Sequence, residues 1–173
     1  GPGPGAGGPL RVLVVGAGPV GLTAAVGFAH AGHPVVCAEQ DPVRCAAVER
    51  GTVPFLEPYL EPLLRDALRR GGLRVVPRVE DAPPCEATLV AVGTPPRRSG
   101  EVDLRYVVEA VRQITRWASG PLVLAMKSTV PPGTGAQLER GFLRESVQPI
   151  HYAANPEFLR EGHAVLDWFH PAR

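Results

Sequence analysis

The 173-residue sequence predicts an α/β fold, a doubly wound parallel sheet forming a single domain. Three observations carry this. Short apolar runs recur along the chain, of the kind that forms strands buried on both faces. Segments with helical spacing alternate with those runs. The first run leads straight into Gly-x-Gly-x-x-Gly at Gly16, Gly18 and Gly21, where a strand turns into a helix.

Residues 1–9, GPGPGAGGP, read as a flexible leader, and the domain is expected over 10–173. Val12–Val15 is the first strand. A helix of small residues runs from Leu22 to His30, and Val35–Ala38 forms a second strand closed by Glu39. Pro42 sits where a helix can start, with Val43 to Arg50 as its body and Gly51 as its stop. A helix from Tyr59 to Arg70 places Leu60, Leu63, Leu64, Ala67 and Leu68 on one face. Pro62 is tolerated because it lies in the first turn. Leu73–Val76 and Ala87–Val92 are the next strands. Asp103 is expected as the N-cap of a helix that keeps Leu104, Val107, Val108, Val111, Ile114 and Trp117 in register until Gly120. Leu122–Met126, a helix over about Gln137–Arg144, and the strand Ile150–Ala154 complete the alternation. No internal repeat or second core is apparent.

Composition sets bounds. Hydrophobic residues make up 45% and charged residues 20%, ordinary for a globular domain. Eighteen basic against 17 acidic residues give a net charge of +1, which argues against an electrostatic nucleic-acid or membrane surface. No apolar run has the length of a membrane span, and no secretory leader opens the chain. Cys37, Cys45 and Cys85 form no metal or redox motif and read as buried, reduced thiols, as in a cytoplasmic protein. The five histidines lack ligand spacing, so no metal is expected. Lys127 is the single lysine, read here as structural or electrostatic support.

The glycine turn carries the chemistry. Gly16 makes the tight turn, Gly18 lets backbone approach a pyrophosphate, and Gly21 lets the helix lie close on the strand. The helix N-terminus offers N–H groups and a positive dipole end to the anion. Glu39 follows Gly21 by 18 positions, where a carboxylate meets an adenosine ribose hydroxyl and repels a 2′-phosphate. The expected ligand is an unphosphorylated dinucleotide. These first forty residues alone leave NAD and FAD open, since GAGPVGLTAA also resembles the opening of FAD-dependent aromatic hydroxylases.

Three later loops leave strand ends with unusual composition: VGTPP after Val90, KSTVPPGT after Met126 and NPEFLREG after Ala154. All three are expected on the edge of the sheet that holds the glycine turn. With GHPV (Gly32–Val35) and EPYL (Glu57–Leu60), these strings resemble the N-terminal domain of the UDP-glucose/GDP-mannose dehydrogenase family over Leu10–Arg173.

The resemblance implies NAD as cofactor and a four-electron oxidation at C6 of a nucleotide sugar, UDP-glucose being favoured, with two NAD consumed in succession. Gly16, Ala17, Gly18, Pro19, Val20 and Gly21 would hold the pyrophosphate, while Glu39 and Arg44 meet the adenosine end. Val92, Gly93 and Thr94 would line the dinucleotide, with Ser128 and Thr129 near the nicotinamide and Glu161 on its carboxamide side. Glu157 would be the acid/base, working with a water held by Thr129, and Phe158, Leu159 and Arg160 would touch the sugar nucleotide. Two departures stand out: Pro19 replaces the family's aromatic in the turn, and Glu39 its usual aspartate. The family's nucleophilic cysteine lies in later domains that this chain does not carry. The chain is therefore expected to bind NAD without completing the reaction alone. A homodimer or higher assembly is expected of the full-length parent. Two other readings remain, a non-catalytic NAD-binding module and an FAD-dependent monooxygenase fragment.

Overall fold

A computed structural model of the chain describes residues 8–153 and 158–169. Six strands form one parallel sheet: β1 (Val12–Val15), β2 (Val35–Ala38), β3 (Leu73–Val76), β4 (Ala87–Val90), β5 (Leu122–Met126) and β6 (Ile150–Ala153). Their spatial order is β3-β2-β1-β4-β5-β6, which is the doubly wound arrangement expected. The register is continuous through the centre, with Val14 opposite both Cys37 and Leu89, and Leu89 opposite Ala125. The strand order reverses between β1 and β4, and the adjoining loops part there to open a crevice.

The helices divide between the two faces. α1 (Pro19–His30), α3 (Leu60–Arg69) and α6 (Phe158–Phe169) cover one face, burying Leu22, Val26, Leu64 and Phe158 against Val12, Val14 and Val123. α4 (Arg105–Trp117) and α5 (Thr134–Leu138) cover the other, where Val107, Val111, Ile114 and Leu138 meet Leu13, Val90 and Leu124. α2 (Pro42–Glu49) packs beside β3, with Val48 buried. The four central strands are each buried along their full length, save the last residue of β5. That is why apolar runs rather than alternation marked them.

Several boundaries differ from the sequence reading, each for a local reason. α1 begins at Pro19, because proline at the first helical position needs no N–H partner. β4 stops at Val90, whose carbonyl accepts from both Lys127 N (2.8 Å) and Ser128 N (3.1 Å) of the neighbouring loop. Val92 and Gly93 are thereby released toward the crevice. α4 starts at Arg105, and Asp103 accepts the Arg105 N–H from two residues away (3.0 Å) while pairing with its guanidinium (2.7 Å). It ends at Trp117, ahead of Gly120, with the indole Nε1 donating to Ala82 O (2.8 Å). The expected helix over Gln137–Arg144 instead starts at Thr134 and widens to a π-turn over Glu139–Leu143, closed by Arg144 N donating to Glu139 O (2.9 Å). Leu63 is 44% exposed, so the buried stripe of α3 is Leu60, Leu64 and Ala67. No described helix is long and apolar enough to cross a membrane.

Candidate functional site

The carboxyl ends of the central strands open into a cleft of about 940 Å³. The size suits a small-molecule site. Four strand-end loops contribute to its lining. The β1 turn brings Gly16 and Gly18, with Pro19 and Val20 at the start of α1; the loop after β2 brings Glu39, Gln40 and Asp41, with Arg44 in the first turn of α2. The loop after β4 brings Val92, Gly93 and Thr94, and the loop after β5 brings Lys127, Ser128 and Thr129. Residues separated by more than a hundred positions thus meet on one edge.

Steric constraints at the turn explain its glycines. Gly16 has φ +107°, and a Cβ there would lie 2.5 Å from Ala91 O. At Gly21 a Cβ would lie 1.9 Å from Gly16 O, so α1 can approach β1 only with glycine in place. Above Gly18 the space is open: a Cβ would meet nothing nearer than Arg44 Nη1 at 4.0 Å. The first N–H groups of α1 have no intrahelical partner and face this opening with the dipole's positive end. A pyrophosphate fits this cradle.

Glu39 is 6% exposed, and its carboxylate is already engaged. Oε1 accepts from Ala17 N and Oε2 from Asp41 N, both at 3.0 Å, and Arg44 Nη1 lies 3.5 Å from Oε1. The acid therefore ties the glycine turn to the end of β2, with lone pairs left over for a ribose hydroxyl. Ala17 is fully buried with its N–H held by Glu39, and Gly21 is buried as well, so these two support the cleft from beneath. Ser128 Oγ donates to Val92 O (2.7 Å), fastening the β5 loop to the β4 loop. Thr134 Oγ1 donates to Pro131 O (2.7 Å) and closes the proline loop.

The third loop behaves differently. Asn155, Pro156 and Glu157 lie outside the described residues. Phe158, Leu159, Arg160 and Glu161 are described, and none lines the cleft. The Phe158 ring is buried against Phe28 at 5.5 Å, edge to face, so it serves the core. A Cβ at Gly162 would lie 3.0 Å from Leu10 Cδ1 and 3.7 Å from Val123 Cγ2, so α6 lies flat on the sheet here. The expectation that this segment gathers at the glycine edge is not met by its described part. The apolar stripe of Phe158, Leu159, Val165 and Leu166 draws the helix onto the core instead. Glu161 Oε2 is buried without a hydrogen-bond partner.

The thiols are poor nucleophiles. Burial raises Cys37 far above its ordinary value, with Glu39 adding to it. Cys45 is raised by burial and then Glu49, and Cys85 is pushed up to about 12 by burial and Glu86. No cluster of three potential metal ligands occurs among the described residues.

Sequence reasoning missed one wall. Pro77, Arg78 and Val79, after β3, and Tyr106, Glu109, Ala110 and Gln113, on α4, also line the cleft. The apolar spacing of α4 identified only its core side, Val107, Val111 and Ile114. The crevice-facing positions could have been found by asking which helix follows the strand at the point where the order reverses.

Residues 10–173 match the model of the UDP-glucose/GDP-mannose dehydrogenase family, NAD binding domain. A UDP-glucose 6-dehydrogenase of Rhizobium meliloti is 39% identical over 168 residues, 95% of this chain and 38% of that protein. Another, from Pseudomonas aeruginosa, is 38% identical over 170 residues, again 95% of this chain and 38% of that one. Among solved structures, a UDP-glucose dehydrogenase from Pyrobaculum islandicum has a TM-score of 0.80 at 39% identity, covering 95% of this chain and 39% of that one. The chain thus spans under two-fifths of the length of the relatives it matches.

Proposed function

Because the chain belongs to the UDP-glucose/GDP-mannose dehydrogenase family, as its NAD-binding domain, we propose that it is the cofactor half of a nucleotide-sugar 6-dehydrogenase acting on UDP-glucose. The observation that carries this is the convergence of the glycine turn, the VGTP loop and the KST loop on one cleft. Bound NAD supplies a hydride acceptor. The chain's own residues bind and orient it. Gly18, Val20 and the α1 N-terminus hold the pyrophosphate, Glu39 and Arg44 the adenosine ribose, and Ser128 with Thr129 the nicotinamide side. Glu157 takes the C6 hydroxyl proton as the hydride leaves, Thr129 holds the water needed later, and Phe158, Leu159 and Arg160 contact the sugar nucleotide. Oxidation of CH2OH to a carboxylate removes four electrons, so two NAD are reduced per sugar.

Calorimetric titration of this chain with NAD, NADP and FAD tests the cofactor part. Saturable NAD binding with weaker NADP and no FAD binding is expected; preference for FAD would contradict the reading. The substrate part is tested on the parent polypeptide, where two NADH per UDP-glucose are expected. Failure to oxidise UDP-glucose while oxidising another nucleotide sugar would reassign the substrate.

A further inference from the structure

One charged side chain of the cleft has no part in the cofactor contacts described above. Three inter-strand steps separate β2 from β5, about 14 Å in all at about 4.8 Å each. With the ribose at Glu39 and the pyrophosphate at the glycine turn, the nicotinamide falls over the ends of β4 and β5. The loops there bring Val92, Gly93, Thr94, Ser128 and Thr129, all neutral, together with Lys127. The other charged lining residues stand apart from these two loops. Glu39, Asp41 and Arg44 follow β2, Arg78 follows β3, and Glu109 is on α4, where it accepts from Gln113 Nε2 (3.3 Å).

Lys127 is fixed at its backbone. Its N–H donates to Val90 O (2.8 Å), and Ser128 is fastened twice, by N to Val90 O (3.1 Å) and by Oγ to Val92 O (2.7 Å). The ammonium has no hydrogen bond or ion pair among the described residues. It is also the single lysine among 18 basic residues, a compact point charge where arginine would spread the charge over a planar fork. An unpaired cation beside a nicotinamide has a consequence that follows from charge alone. The oxidised ring is positive, and accepting a hydride cancels that charge. The C–H bond at C6 breaks, both electrons travel with the hydrogen to the ring, and the hydroxyl proton goes to the base. A nearby ammonium therefore repels the ring before the transfer and not after it.

We propose that Lys127 is an electrostatic driver of hydride transfer, destabilising bound NAD relative to bound NADH. The proposal rests on the NAD-binding reading above and adds the group that biases the cofactor toward its reduced form. At about 6 Å, across an effective dielectric of about 40–80, one unit charge shifts that preference by about threefold to tenfold.

The test is calorimetric titration of the full chain with NAD and with NADH, for wild type, Lys127→Met, Lys127→Gln and Lys127→Arg. Far-UV circular dichroism confirms that each protein is folded. The two dinucleotides share their adenosine and pyrophosphate, so the ratio of their dissociation constants isolates the ring charge. The neutral variants are expected to lose about threefold to tenfold of the preference for NADH over NAD, with Lys127→Arg within about twofold of wild type. Equal loss of both affinities in the neutral variants, with the ratio unchanged, would make Lys127 a phosphate contact or a scaffold. That result would overturn the driver and leave the NAD-binding reading standing. A ratio that falls as far in Lys127→Arg as in the neutral variants would also overturn it. No saturable binding of either dinucleotide to the wild type would overturn both.

Discussion

Replacing Glu39 by leucine should destabilise the protein even with no nucleotide present. The side chain sits at the end of β2 and accepts from two backbone N–H groups on different segments, Ala17 and Asp41. Leucine keeps the bulk and removes both acceptors. The Ala17 amide is fully buried, and losing its partner costs about 1–3 kcal/mol. The Asp41 residue is exposed, so water replaces the lost bond at a net cost of about 0.5–1.5 kcal/mol. The sum, about 1.5–4.5 kcal/mol, lowers the melting temperature of a domain this size by about 3–18 °C. Arg44→Ala is the comparison. It removes a 3.5 Å ion pair to a 43% exposed guanidinium and leaves both backbone bonds, so less than about 1 kcal/mol is expected. Thermal denaturation of the three proteins without nucleotide reads this directly. A Glu39→Leu protein melting within about 2 °C of wild type would refute the brace, leaving Glu39 a ligand contact alone.

Three further outcomes follow from the packing. Gly21→Ala forces a Cβ to 1.9 Å from Gly16 O, so it should cost at least about 2 kcal/mol and weaken NAD binding by about tenfold or more, read by melting and titration. His33 Nδ1 accepts the Leu10 N–H at 3.1 Å, which requires the neutral ring; burial, then His163, holds its pKa below the ordinary value. The unfolded chain thus binds that proton first, so this contribution is complete above about pH 6.5 and declines as pH falls through the lowered folded value. Melting temperature should drop between pH 7 and 5, less steeply in His33→Gln; parallel profiles would count against it. Thr88 Oγ1 is buried in β4 with no hydrogen-bond partner, so Thr88→Val should raise stability by about 1 kcal/mol, or about 2–4 °C.

The residues explain why some of this was legible beforehand. β1, β2 and β4 are buried over all four residues, so their apolar runs stood out without alternation, and the glycines and Glu39 mark β1-α1-β2 through spacing alone. Right-handed connections leave only a few doubly wound strand orders, and the structure has β3-β2-β1-β4-β5-β6. What stayed hidden depends on contacts distant in sequence. Nothing local to Glu39 shows that Ala17 and Asp41 would occupy its oxygens. Tyr106, Glu109 and Gln113 are ordinary polar positions of an amphipathic helix until topology sets α4 beside the crevice. The packing of Phe158 on Phe28 is decided by competition for core surface, which a motif string does not record.

Amide chemical-shift mapping of the isotope-labelled chain during NAD titration tests the central claim most directly. The account predicts large, saturable shifts at Gly18, Val20, Gly93, Thr94, Ser128 and Thr129, and smaller ones at Tyr106 and Gln113. Shifts centred elsewhere on the surface, or none up to millimolar NAD, would contradict it.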